Sequence, residues 1–296
     1  MVESKKNTAI FIMPRASTAW RGAEAMWISV AGIAAAAKKK YGSAVVVTSD
    51  KIAQPEEVLG YPLLGPVEDS ATRLRKTKIL PAFLRTIFSD FLLWKNRSSW
   101  KITERLDLDP GEIAFVWEKH DLFPGPGRKL ANKWQVPFVS YVHAPVVWEA
   151  SKWGVKRFFW GKWFEKYEAA CLKKADYVGA VSEEVKRKLI TMGIDEKKIF
   201  VSPMAVDPEP FEVREEIRNN LREELNIKDK FAIGWTGSFR SFHGMDYLIR
   251  AFSEISKKHK NVVLILVGEG NELEETMELA SNMKVSSKVI FTGRKA

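Results

Sequence analysis

The chain has 296 residues, of which 46% are hydrophobic and 28% charged, with a formal net charge of +10 and one cysteine, Cys171. That is the composition of a soluble globular protein, long enough for one large or two modest domains. No apolar run approaches the roughly 20 residues needed to cross a bilayer, and a lone thiol excludes an intrachain disulfide.

From the N-terminus, lysines lead straight into a strand-like segment at 8–13, which is not the pattern of a secretory signal. Short β-rich runs then alternate with helix-length amphipathic segments. Strands are predicted at 9–13, 44–48, 113–117, 138–142, 177–181, 199–202, 231–235, 262–267 and 289–292. The helices predicted between them cover 22–39, 126–134, 158–174, 183–192, 244–258 and 271–283. This alternation predicts an α/β protein with parallel sheets covered on both faces. Pro203, Pro208 and Pro210 interrupt the pattern. They divide the chain into a Rossmann-like domain at 1–205, a linker at 206–229 and a partial second Rossmann-like domain at 230–296.

Open parallel sheets bind ligands beyond the carboxyl ends of their strands, where the unusual residues of this chain gather. Arg21, Gly22 and Glu24 follow the first strand, Glu118 to His120 the third, and His143 to Pro145 the fourth. The most informative stretch is Ile233 to Gly244, an apolar strand, a small-residue turn and a helix start carrying Arg240 and His243. Backbone N–H groups at a helix start favour an anion, and small residues let a ligand approach closely.

In this order the segments resemble glycosyltransferase family 4, the retaining nucleotide-sugar enzymes of the GT-B fold, over nearly the whole chain. The resemblance lies in the loop Arg21–Glu24, the tract Val116–Leu122, Val136-Pro137-Phe138, His143-Ala144-Pro145 and the set Glu168, Ala175-Asp176 and Val181-Ser182. It continues in Ile199–Pro203, Val206-Asp207, the loop Gly237–Gly244, Val267–Gly270 and Phe291-Thr292-Gly293. It implies two Rossmann-like domains facing a cleft, and retaining transfer of a sugar from a nucleoside diphosphate sugar to a glycan or lipid-linked acceptor. Gly22, Gly237, Ser238, Arg240, His243, Gly244, Gly268 and Gly270 would then bind the donor. His143, Arg240 and His243 would be catalytic, and Glu24, Glu118, His120 and Glu149 would lie on the acceptor side. No metal or other cofactor is implied, because the donor phosphate itself helps to deprotonate the acceptor.

Two departures stand out. The commonest family loop carries Arg just after its first glycine and Lys just before its last, where this chain has Ser238 and His243. The family's paired glutamates would follow Gly293, beyond Ala296, so the expectation is either a fragment or a natural short form. The short form brings the alternative of a non-catalytic binder of sugar, lipid or a partner chain.

The positive charge suits phosphorylated ligands or anionic lipid, and no nucleic-acid-binding signature is evident. Basic and aromatic residues interleave at 73–101, which predicts contact with an anionic membrane surface at the cytoplasmic face. A similar mixture at 152–166 is expected instead to turn Trp160, Trp163, Phe164 and Tyr167 into the core.

Overall fold

The computed structural model describes residues 7–17, 24–59, 81–96, 100–153, 155–205 and 212–295. It divides into two compact units, Met1–Asp207 and Pro208–Ala296. Strands and helices alternate in each, as apolar β-branched runs separated by amphipathic segments require.

In the first unit the strands are β1 (Thr8–Ile12), β2 (Ser43–Val47), β3 (Ile52–Ala53), β4 (Ile113–Lys119), β5 (Phe138–Val142), β6 (Tyr177–Ala180) and β7 (Ile199–Val201). They form one sheet in the order β3-β2-β1-β4-β5-β6-β7. All neighbours are parallel except the two-residue edge strand β3, which runs antiparallel to β2 and was not predicted. Its helices are α1 (Glu24–Tyr41), α2 (Pro55–Leu59), α3 (Ala82–Asn96), α4 (Gly127–Trp134), α5 (Val146–Lys152), α6 (Phe158–Leu172) and α7 (Glu183–Thr191).

Side chains alternate across the sheet, so two cores form. Ala9, Phe11 and Met13 pack with Trp27, Val30 and Ala31 of α1. Ile10 and Ile12 pack on the other face with Leu130 and Trp134 of α4, Leu172 of α6 and Leu189 of α7. Each such side chain contributes about 2 kcal/mol on burial. The Ser182-Glu183-Glu184 run at the end of β6 starts α7, with the Ser182 hydroxyl accepting the Val185 N–H at 3.3 Å.

One expectation fails on α6. Its core face is Gly161, Glu168, Ala169 and Leu172, whereas Trp163 is 62% exposed and Phe159 86% exposed. A helix can satisfy a 3.6-residue apolar period along two stripes, and here the small residues took the buried one. Four helices, α2, α3, α5 and α8 (Glu215–Glu224), also lie where none was predicted. The last falls in the stretch expected to be linker and has no buried residue, so it carries no core-facing stripe that could have announced it.

In the second unit, β8 (Phe231–Thr236), β9 (Val262–Val267) and β10 (Val289–Gly293) form a parallel sheet in the order β10-β9-β8. Helices α9 (Met245–Lys258) and α10 (Leu273–Asn282) cover it, packing Ile249, Phe252 and Ala280 against Leu264, Leu266 and Val289.

Candidate functional site

The first sheet changes direction at β1, with β2 on one side and β4 on the other. Loops leaving a parallel sheet part at such a point, and the crevice they leave is where open α/β sheets hold ligands. The ionisable groups of the first unit converge there. Arg15, just past β1, reaches across to Asp121, just past β4, with Nε 2.6 Å from Oδ2 and Nη2 3.3 Å from Oδ1. Burial would raise the Asp121 pKa, but the Arg15 charge, the Arg15 hydrogen bond and Lys119 outweigh it and leave it lowered. On the other side of β1, Asp50 accepts from the Ser17 N–H at 2.7 Å and from the Ser17 and Thr48 hydroxyls.

β4 ends in Glu118 and Lys119, followed at once by His120 and Asp121, and all four are under 10% exposed. Glu118 accepts the Gly125 N–H at 2.9 Å on one oxygen and the Gly127 N–H at 2.8 Å on the other. Burial pushes its pKa up to about 7, against the pull of those two donors. It fixes the turn into α4, so the acceptor-side expectation for Glu118 meets an enclosed carboxylate whose two oxygens are occupied. Lys119 is also enclosed, and burial brings it down to about 8, with Arg15 lowering it further and Asp121 and Glu149 opposing.

His120 points into the helices. Its Nε2 lies 2.7 Å from Oε1 of the fully buried Glu168 on α6, and that oxygen also accepts the Val146 N–H of α5 at 2.6 Å. The Val147 N–H reaches the second oxygen at 3.4 Å. His120 therefore ties β4 to the start of α5, a structural task, whereas an acceptor-side role was expected.

His143 follows β5, edge-on to Tyr141 with ring centroids 5.3 Å apart. Burial first, and the Lys119 charge second, push its pKa down to about 3, so the ring is neutral at physiological pH. Its Nε2 is buried and has no hydrogen-bond partner among the described residues. Glu149, in the first turn of α5, is half-buried, and burial raises its pKa against the pull of Lys119. His143, Lys119 and Glu149 are thus electrostatically coupled beside the Arg15–Asp121 bridge. Gly22 lies outside the described residues, and Glu24 is placed only as the first residue of α1.

In the second unit, the loop between β8 and α9 holds Gly237, Ser238, Arg240, His243 and Gly244. Arg240 and His243 are exposed, and a His243 ring nitrogen bonds the Ser238 carbonyl, bracing the loop across its own turn. Gly244 opens α9 at φ 62°, a left-handed conformation that glycine adopts without strain. Phe239 anchors the loop, fully buried, with its N–H on the Glu269 carbonyl at 3.0 Å. Gly268 and Gly270 permit that anchoring. A Cβ at Gly268 would lie 1.8 Å from the Gly237 carbonyl oxygen, and one at Gly270 would lie 2.3 Å from that of Phe239. These two glycines seat the loop by close packing.

Sequence reading gave roles to Glu118, His120, His143 and Glu149; it named Lys119 among the residues after the third strand without a role, and passed over Arg15 and Asp50. Four ionisable residues in succession at the end of an otherwise apolar strand were the available signal for Lys119. Asp121 and Glu168 entered only as part of the resemblance. Among the described residues no cluster of His, Cys, Asp and Glu could hold a metal ion.

Two α/β units built on largely parallel sheets, each with its polar loops at the carboxyl edge, define a two-unit Rossmann-like architecture. The chain belongs to glycosyltransferase family 4, whose model matches residues 34–210, and a second model, glycosyl transferases group 1, matches residues 217–296. Among curated proteins it is 25% identical over 208 residues to an uncharacterised glycosyltransferase of Methanocaldococcus jannaschii, MJ1607, covering 69% of this chain and 52% of that protein. It is 30% identical over 90 residues to a GDP-mannose-dependent phosphatidylinositol monomannoside mannosyltransferase of Mycolicibacterium smegmatis, covering 30% of this chain and 24% of that protein. The chain spans about half, or less, of the length of the curated relatives it matches. Among solved structures, Anabaena Alr3699/HepE in complex with UDP matches with a TM-score of 0.58 at 14% identity, over 98% of this chain and 70% of that one. A glycosyltransferase from Rickettsia africae matches at 0.57 and 17% identity, over 98% and 69%. These likenesses establish the GT-B class of the fold.

Proposed function

We propose that this chain is the donor- and acceptor-binding part of a glycosyltransferase that moves a sugar, with retention, from a nucleoside diphosphate sugar to a glycan or lipid-linked acceptor. The observation that carries the reading is the Gly237–Gly244 loop. It places two exposed cationic-type side chains, Arg240 and His243, beside the start of a 14-residue helix in a chain of this family. Helix-start N–H groups and a guanidinium together suit a diphosphate, whose charge grows as it leaves. The Anabaena neighbour was solved with UDP and with UDP-glucose, which supports a donor of that class.

In this reading Gly237, Ser238, Arg240, His243 and Gly244 hold the diphosphate, with Gly268 and Gly270 shaping the loop behind it. His143, neutral and with a buried unpartnered Nε2, contacts the donor sugar, and Glu149 with the Arg15–Asp121 bridge borders the acceptor. The acceptor hydroxyl oxygen bonds the anomeric carbon on the face from which the phosphate oxygen departs, and its proton passes to that phosphate. Neither a metal nor a protein base is assigned. Among the described residues no helix is long and apolar enough to cross a membrane.

Titration of UDP, GDP, UDP-glucose and GDP-mannose by calorimetry tests the donor site. Arg240→Ala and His243→Ala should each weaken the best ligand by about tenfold or more, the scale of one charge-assisted hydrogen bond. Wild-type affinity in both variants would remove the loop from the donor site. The anomeric configuration of any product, read by NMR, tests retention.

A further inference from the structure

Two recesses flank the first turns of α6, and they differ in chemistry. One is an apolar trough of about 520 Å³ between α6 and α3, walled by Ile87, Phe91, Trp94, Phe123, Trp163 and Phe164. Its rim exposes aromatic rings to water, Phe159 and Trp163 on α6 and Phe91 and Trp94 on α3. Exposed aromatics gathered around an apolar recess mark a binding surface, where scattered ones would need no explanation.

The other recess, of about 470 Å³, lies on the α5 side of the same helix and includes Trp148, Lys156, Arg157, Phe158, Gly161 and Lys162. Arg157 holds Asp90 of α3 through Nε at 2.8 Å and Nη2 at 2.9 Å. Its guanidinium is only 3% exposed, and Nη1 is buried without a hydrogen-bond partner among the described residues. No side chain caps the α6 N-terminus, and Phe158 sits there at φ 26°, a backbone conformation unusual for a bulky residue. Among the described residues the one acidic side chain at this recess, Glu165, is paired with Lys188 at 2.6 Å. The uncompensated charge is therefore positive, on Lys156 and Lys162.

We propose that α3 and α6 seat one anionic phospholipid of a bilayer, its acyl chain in the trough and its phosphate in the recess at the start of α6. An apolar slot beside a cationic helix start complements a molecule with a hydrocarbon chain joined to a phosphate. Interfacial aromatic rings with flanking lysines fit the same surface. The sequence pointed mainly to 73–101, which contains α3; the surface adds α6 to it. Of that stretch, residues 73–80 and 97–99 lie outside the described residues. The seat does not depend on the transfer reaction.

The 296-residue chain is sedimented with vesicles of phosphatidylcholine alone and with vesicles containing phosphatidylglycerol. Binding should require phosphatidylglycerol and weaken with added salt. Lys156→Glu combined with Lys162→Glu should reduce binding by about tenfold or more. Phe159→Ser combined with Trp163→Ser should abolish quenching of tryptophan fluorescence by bromine-labelled acyl chains. All four substitutions alter exposed side chains, so both variants should keep the wild-type thermal midpoint. Equal binding to neutral vesicles, or wild-type binding by either double variant, would overturn the proposal. So would inorganic phosphate binding without vesicle binding, or a dimer broken by the aromatic variant in a chain that ignores vesicles.

Discussion

The carboxyl edge of the first unit and that of the second solve the placing of charge in opposite ways. At the switch point beside β1, Glu118, Lys119, His120, Asp121 and Glu168 are buried, and most of their polar atoms are engaged by one another or by backbone N–H groups. In the loop before α9, Arg240 and His243 stand in water, and the buried part is the backbone with Phe239. The first edge owes its geometry to ionic and hydrogen-bonded side chains, the second to glycines that let two loops touch. Breaking either should therefore need different substitutions, and the variants most damaging to stability should differ from those most damaging to ligand binding.

The largest effect is expected in the second unit from Gly268→Ala. Its φ of 140° is unfavourable to any L side chain, and the new Cβ would strike the Gly237 carbonyl oxygen. Strain and overpacking together should cost roughly 4 kcal/mol, measured by urea denaturation. A loss under about 1 kcal/mol would show that the two loops do not need their close contact. Arg240→Ala, in the same region, should leave stability within about 0.5 kcal/mol while weakening the nucleotide, because the side chain is exposed.

Next comes Glu168→Ala in the first unit, at about 3 kcal/mol. It strands the buried His120 ring and the first N–H groups of α5 without an acceptor. Here the loss should appear in stability and in the protection of the Val146 and Val147 amides from hydrogen exchange. Normal protection of both amides in the variant would show that the carboxylate does not hold the α5 start.

The contrast between the edges also explains what could be read from the sequence. The parallel strands were legible because a parallel sheet covered on both faces demands short, β-branched apolar runs, whereas the two-residue antiparallel β3 offered no such run. The Gly237–Gly244 loop was legible because its chemistry is local, a strand, a turn and a helix start in twelve successive residues. The first unit's network was only half legible. Asp90 and Arg157 are 67 positions apart, and Arg15 and Asp121 are 106 apart, so only the fold brings each pair together. Helix α3 was hidden because its exposed aromatic and basic residues read as a surface tract rather than as a packed element. On α6 the apolar period was correctly seen, but its direction was set by Gly161 and Ala169, whose small size lets the helix approach the sheet.

The smallest effect tests whether the first edge is as enclosed as its side chains imply. Glu118 keeps its proton in the folded state up to about pH 7, but in the unfolded chain only to its ordinary value of 4.5. Between those values the folded state binds more protons, so this group makes stability fall as pH rises. His143 behaves in reverse. Its folded pKa of about 3 lies below the ordinary 6.5, so the unfolded chain binds more protons between them and stability rises with pH. Over pH 4.5–6.5 the two slopes oppose, and the native protein shows little of either from this pair. Replacing His143 by Asn removes the rising slope alone. The stability of His143→Asn relative to the native chain should then fall by about 2 kcal/mol or less from pH 5 to pH 6.5, since His143 is partly solvated. Glu118→Gln should shift the difference curve the other way, rising relative to the native chain between pH 4.5 and pH 7. If both difference curves were flat, water would reach these groups freely, and the first edge would resemble the second after all.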